Sequence, residues 1–231
     1  MSVCVIFDLD GTLVDSVPTF TSILNAMLAD RGAATRLTDR DVRPHATTGG
    51  LAMVKGLLDG ACGDAERAIA EFRARYAALP TPPLSLYPGV RHGLARLADS
   101  GVPLGVWSNK PQALCEKVMD DLDLTRLLGA IVGTGPEVPL KPDLTGLDRA
   151  LARMGESRAA AVFVGDSEVD HEAARRAGVP FVMVTYGYGD RARAYPGARL
   201  ADSFDEAISI VMALIGLGAA ADRPLPRAEV A

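Results

Sequence analysis

Asp8 and Asp10 stand two residues apart in Asp8-Leu9-Asp10-Gly11-Thr12, directly after the apolar stretch 3–7. A short Val- and Ile-rich run of this kind reads as a buried strand, so both carboxylates fall where it emerges. One carboxylate at such a place can attack phosphorus, while its neighbour manages the proton and helps hold Mg²⁺. Gly11 allows a sharp turn and a close approach of backbone to ligand, and Thr12 adds a short hydroxyl. A surface acidic turn is the plainer alternative, and the position after an apolar strand weighs against it.

Other polar groups follow later apolar runs in the same manner. Ser108-Asn109-Lys110 succeeds 102–107, Lys141 lies in Leu140-Lys141-Pro142-Asp143 beyond 130–132, and Gly165-Asp166-Ser167-Glu168-Val169-Asp170 succeeds 160–164. Taken singly, each has an ordinary explanation. Ser108 and Asp166 suit turns or helix caps, and a lone lysine is most often solvated. Their appearance in order, each just past a strand pattern, argues for one crevice at the carboxyl ends of a sheet. Asp170 lies one helical turn beyond Asp166 and faces the same way. His45, near Thr47-Thr48-Gly49-Gly50, is a candidate contact for a carboxylate or an acid, set against a simple exposed position. Trp107 reads as packing.

The elements that must position these groups follow from periodicity. Five continuous apolar runs, the fifth at 180–184, suggest strands covered on both faces and therefore parallel. Helical patterns alternate with them. Leu144, Leu147, Leu151 and Met154 precede a capping Gly155; 168–177 ends at Gly178; Ser203-Phe204-Asp205-Glu206 reads as a capping box opening a helix with Phe204, Ile208, Val211, Met212 and Ile215 inward. The expected fold class is α/β, a doubly wound, Rossmann-like parallel sheet.

Residues 16–83 differ, with helical stripes (Val17, Phe20, Leu24, Met27, Leu28; then Ile69, Phe72, Tyr76, Leu79) and no convincing strand. We read 1–15 and 84–217 as the catalytic core, 16–83 as an inserted helical domain, and 218–231 as a mobile tail. The net charge of −5, without a basic tract, argues against a nucleic-acid partner. No apolar run approaches membrane-spanning length and no signal peptide is visible, so no membrane is expected and the cytoplasm is the expected compartment. Three scattered cysteines fit a reducing environment. Oligomeric state is not legible.

The ordered set DxDGT, Ser-Asn-Lys, Lys-Pro and GDSxxD resembles the four motifs of the haloacid dehalogenase superfamily of phosphohydrolases, over essentially the whole chain. That resemblance implies a small helical cap at 16–83 and Mg²⁺ as cofactor. It implies Asp8 as nucleophile forming an aspartyl-phosphate and Asp10 as acid, then base. Metal ligands would be Asp8, the Asp10 main-chain carbonyl and Asp166, with Asp170 supporting Lys141 or a metal-bound water, or ligating directly. Ser108, Asn109 and Lys141 would bind the phosphoryl oxygens, and His45, Thr48 and Gly49 would bear on specificity. On the same resemblance, Asp10 argues against the carbon-attacking dehalogenases and the phosphonate-cleaving relatives.

Wording closer still is found in phosphoglycolate phosphatases: DLDGTLVDSVP, SNKP, GDSEVDHEAARRAGVPF and TYGYGD. The small phosphorylated metabolite expected on this resemblance is 2-phosphoglycolate. Departures occur at Thr47, at 133–140 and at Leu144. A β-phosphoglucomutase-type mutase, a phosphatase of another small phosphomonoester or pyrophosphate, and a non-catalytic binding protein are the alternatives.

Overall fold

The computed structural model describes residues 3–47, 49–190 and 194–217. The expected tail at 218–231 lies outside the described residues. The sheet has six strands: β1 (Cys4–Phe7), β2 (Leu104–Pro111), β3 (Ala130–Thr134), β4 (Ala161–Gly165), β5 (Phe181–Val184) and β6 (Arg199–Ala201). They are ordered β3-β2-β1-β4-β5-β6 and every pairing is parallel. Chain order reverses at β1, so its carboxyl end opens at the topological switch point where such sheets bind ligands.

Nine α-helices accompany the sheet among the described residues: α1 (Val17–Asp30), α2 (Asp39–Val42), α3 (Gly50–Leu58), α4 (Ala65–Ala78), α5 (Val90–Asp99), α6 (Gln112–Asp121), α7 (Thr145–Met154), α8 (Glu168–Ala177) and α9 (Phe204–Leu214). The continuous apolar strands have a direct cause. Side chains alternate between faces, and both faces are covered. Val5 and Phe7 join one core with helices including α5, α6 and α9; Cys4 and Ile6 join a second with α7 and α8. β4 and β5 divide their residues between the same two cores. Trp107 is wholly buried in the second, against Phe163, in keeping with packing.

Among the described residues, 16–83 contains helices and turns but no strand. Pro18 occupies the first turn of α1, whose stripe Val17, Phe20, Leu24, Met27 and Leu28 is buried. Phe20 meets Phe72 and Tyr76 of α4 at ring separations of 5.7 and 5.8 Å. Leu79 departs from the expected stripe: α4 ends at Ala78, and Leu79 turns outward.

Other local expectations need adjustment. β2 runs on through Pro111, carrying Ser108, Asn109 and Lys110 on its irregular end rather than in a following loop. β6 has no counterpart in the periodicity, because two of its three residues are exposed. Ser203 caps α9 by accepting from the Glu206 N–H, but the Glu206 carboxylate accepts from Asp202 N, so the box is half made. Ile215 is the C-cap of that helix and is only half-buried. No helix among the described residues is long and apolar enough to cross a membrane.

Candidate active site

Asp8 directly follows β1, and its N–H donates to Val164 O of β4 at 2.9 Å. A tight turn then returns the chain: Leu13 N donates to Leu9 O, and Gly11 N to Val14 O, with Gly11 at φ +91°. A side chain is strained at that φ, and a Cβ on Gly11 would meet the Asp166 carboxylate at 2.2 Å. Thr12 is buried and donates to Asp166 Oδ1 at 3.2 Å.

The ends of β1, β2 and β4, the segment leading to α7 and the start of α8 meet around a cavity of about 350 Å³. Asp8, Asp10, Ser108, Asn109, Lys110, Lys141, Asp166 and Asp170 all line it. Lys141 is the electrostatic centre. Its ammonium lies 2.6 Å from Asp8 Oδ1 and 2.6 Å from Asp170 Oδ1, with its side chain only 2% exposed. The rings of Trp107 and Phe163, 5.2 and 5.4 Å away, add cation–π attraction. Burial lowers the Lys141 pKa, but the Asp170 and Asp8 carboxylates outweigh it and leave the pKa above the ordinary lysine value.

The carboxylates feel the same burial with less compensation. Asp8 is raised to about 7 as the net of burial pushing it up, Lys141 pulling it down and the charge of Asp170 pushing it up again. Asp166 is raised well above the usual carboxylate range, first by burial, then by the charges of Asp170 and Asp8.

Asp8, Asp166 and Asp170 each offer an oxygen within 4.8 Å of the others. Three buried carboxylates against one ammonium leave excess negative charge, and the donors are all hard oxygens. That chemistry fits a small divalent cation. Asp170 is the poorest ligand of the three. Its Oδ1 is held by Lys141 and its Oδ2 by the N–H groups of Asp166 and Ser167 and the Ser167 hydroxyl. Ser167, not Asp166, caps α8; the Asp166 carboxylate accepts from Thr12 and from Tyr188 N, with no ammonium against it among the described residues. Among the described residues Asp8 Oδ2 accepts no hydrogen bond.

Other expected positions are placed as follows. Asn109 accepts from Lys141 N at 2.7 Å, so its side chain ties β2 to the lysine segment. Ser108 is buried, its Oγ accepting from Lys110 N at 3.3 Å. Gly49 and Thr47 line the cavity; Thr48 lies outside the described residues. His45 does not line it: a Cβ on Gly56 of α3 would meet its ring at 3.8 Å.

Two features escaped the sequence reading. Lys110 donates to both oxygens of Asp10 at 2.8 Å, under the rings of Tyr76 (4.5 Å) and Phe20 (5.0 Å). Ser-Asn-Lys drew attention to this lysine, but nothing local showed that its ammonium would be buried under aromatic rings from α1 and α4. Removing one partner of a largely buried pair strands the other. Lys110→Met is therefore expected to destabilise the protein by about 3 kcal/mol, read as a lower melting midpoint in urea.

The second feature is the segment after β5. Tyr186 Oη donates to Thr12 O, and Tyr188 N donates to Asp166 Oδ2 at 2.6 Å. Gly187 lacks the Cβ that would lie 2.3 Å from Asp166 Cβ. Tyr188 Oη donates to Asp15 Oδ1 and accepts from Ser16 N, and Arg43 reaches Asp15 and Gly187 O. TYGYGD thus braces the Asp8 turn and the start of α1.

A parallel sheet with a buried carboxylate at its switch point, a buried lysine and a hard-oxygen cluster is an arrangement suited to phosphoryl transfer. Comparison with known proteins gives the family. Residues 5–184 match the model of haloacid dehalogenase-like hydrolases, and the chain belongs to that family. It is 36% identical over 187 residues to a phosphoglycolate phosphatase of Xanthomonas campestris, covering 80% of this chain and 83% of the relative. With that of Rhodospirillum rubrum it is 36% identical over 206 residues, 86% of each chain. The crystal structure of a predicted phosphoglycolate phosphatase from Haemophilus somnus superposes with a TM-score of 0.77 at 26% identity, over 91% of this chain and 98% of that one. Within the family, this chain is a phosphatase of the phosphoglycolate phosphatase-like kind.

Proposed function

We propose that this phosphatase hydrolyses 2-phosphoglycolate to glycolate and phosphate, with Mg²⁺ and through an aspartyl-phosphate on Asp8. The observation that carries the chemistry is Asp8 itself: buried, at the switch point, with one oxygen held 2.6 Å from Lys141 and the other without a donor among the described residues. An Asp8 oxygen attacks phosphorus as the ester P–O bond breaks, and Asp10 gives the departing alkoxide its proton. Asp10 then takes a proton from water, which attacks the same phosphorus and releases phosphate and free Asp8.

Ser108 and Lys141 steady the phosphoryl oxygens, and Asn109 sets the Lys141 backbone. Asp8, Asp166 and the Asp10 carbonyl would hold the metal, which would supply positive charge to the phosphoryl group. Residues 16–83 act as a cap that excludes bulk water and selects the leaving group, with hinges at 15–17 and 80–84. The substrate assignment is supported by relatives that carry the phosphoglycolate phosphatase name.

The test is phosphate release from a panel of small phosphomonoesters, with Mg²⁺ and with EDTA. The expected result is metal-dependent release with the highest kcat/KM on 2-phosphoglycolate. Interconversion of glucose 1- and 6-phosphates without net phosphate release would overturn it in favour of a mutase.

A further inference from the structure

The wall contributed by 16–83 is mostly apolar. Phe20, Leu51, Met53, Ile69, Phe72 and Tyr76 line the cavity there, with one cation among them, Arg73. Ile69, Phe72, Arg73 and Tyr76 recur at i, i+3, i+4 and i+7, so one face of α4 presents all four. The arginine shares the face that looks onto the catalytic groups.

Arg73 is also uncommitted. Lys141 is held by Asp8 and Asp170, and Lys110 by Asp10. Two positions along the helix, Arg75 pairs with Asp30 and Glu71, and Arg31 also reaches Glu71. Arg73 enters no ion pair or hydrogen bond among the described residues, although it stands beside a cavity rich in carboxylates. Arg73 is exposed, so water satisfies it while the cavity is open; on an otherwise apolar wall it is the group placed to receive an anion arriving with the substrate. Guanidinium matches a carboxylate with two parallel hydrogen bonds, and such pairs strengthen as water is excluded.

The phosphoryl group has its own partners at the opposite wall. We propose that Arg73 determines specificity by binding a carboxylate on the leaving group, so that the enzyme selects small phosphomonoesters of hydroxy acids over neutral ones. This rests on the phosphatase reading above and adds the substrate's second anchoring point. The wall's apolar character around Arg73 also disfavours polyhydroxylated leaving groups, whose hydroxyls would lose water without gaining partners.

The experiment compares kcat/KM within two matched pairs: 2-phosphoglycolate against ethyl phosphate, and 3-phosphoglycerate against glycerol 3-phosphate. Wild type, Arg73→Ala and Arg73→Lys are measured with Mg²⁺. The acid-to-neutral ratio is expected to fall about 10- to 100-fold in Arg73→Ala, mainly through KM on the acid substrates, and to recover in part in Arg73→Lys. An unchanged ratio, or equal losses on acid and neutral esters, overturns the role of Arg73. If wild type prefers 2-phosphoglycolate and its ratio to ethyl phosphate is unchanged in Arg73→Ala, the substrate assignment survives and this inference fails. If wild type prefers 3-phosphoglycerate and Arg73→Ala erases that preference, this inference survives and the assignment to 2-phosphoglycolate fails. A wild-type preference for neutral esters overturns both.

Discussion

Asp8→Asn is expected to cut phosphate release by at least ~10⁴-fold, the scale seen when a nucleophile is removed from an otherwise intact site. The amide keeps the shape of the carboxylate and cannot attack phosphorus. Lys141 retains Asp170 at 2.6 Å, so the surroundings should hold. Stability is expected to move the other way. Burial raises Asp8 to about 7 in the folded protein, from an ordinary carboxylate value of 3.8. Its contribution to stability is present below the unfolded value and lost as pH rises through the folded one. Without metal, the wild type therefore gives up stability between about pH 4 and pH 7 for a carboxylate the site needs ionised. Asn removes that dependence. In EDTA, the melting temperature of Asp8→Asn should gain on wild type as pH rises from 5 to 8. Residual turnover within 100-fold of wild type would remove Asp8 from the nucleophile's role.

The parts that sequence made legible were local ones. Strands buried on both faces announce themselves as unbroken apolar runs, and α8, flanked by Ser167 and Gly178, could be bounded to the residue. Asp8 and Asp166 could be placed because each follows a strand, Lys141 because it lies beyond the third, and Ser108 because it falls on the end of β2, and a parallel sheet gathers such ends. What stayed hidden depends on distant contacts. Lys110 reaches Asp10 across 100 residues, and Tyr186 reaches Thr12 across 174. Neither spacing carries a period. β6 is short and mostly exposed, so it lacks the apolar run that marked its neighbours. Arg73 falls in an ordinary amphipathic helix; only the cavity distinguishes it from the other arginines of α4.

Lys141→Met carries the second large effect, and it acts on activity, pH dependence and stability together. Lys141 is the cation that holds Asp8 down against burial and the charge of Asp170. Removing it raises Asp8 further, and a nucleophile must be ionised to attack. The acid limb of the kcat/KM profile should therefore move to higher pH. Loss of positive charge facing the phosphoryl oxygens should lower kcat by about 10²- to 10³-fold even on the plateau. The buried carboxylates left behind repel each other without compensation, which costs roughly 3–5 kcal/mol for a broken buried pair. Mg²⁺ should return part of that stability, because a divalent cation supplies charge to the same carboxylates. Lys141→Arg is the informative companion. A broad planar guanidinium must occupy a site where one nitrogen now sits 2.6 Å from two separate oxygens, walled by Trp107 and Phe163. Arginine should restore most of the charge-dependent stability and little of kcat. A variant that kept both the wild-type acid limb and wild-type kcat would show that Asp8 is held ionised by something other than this lysine.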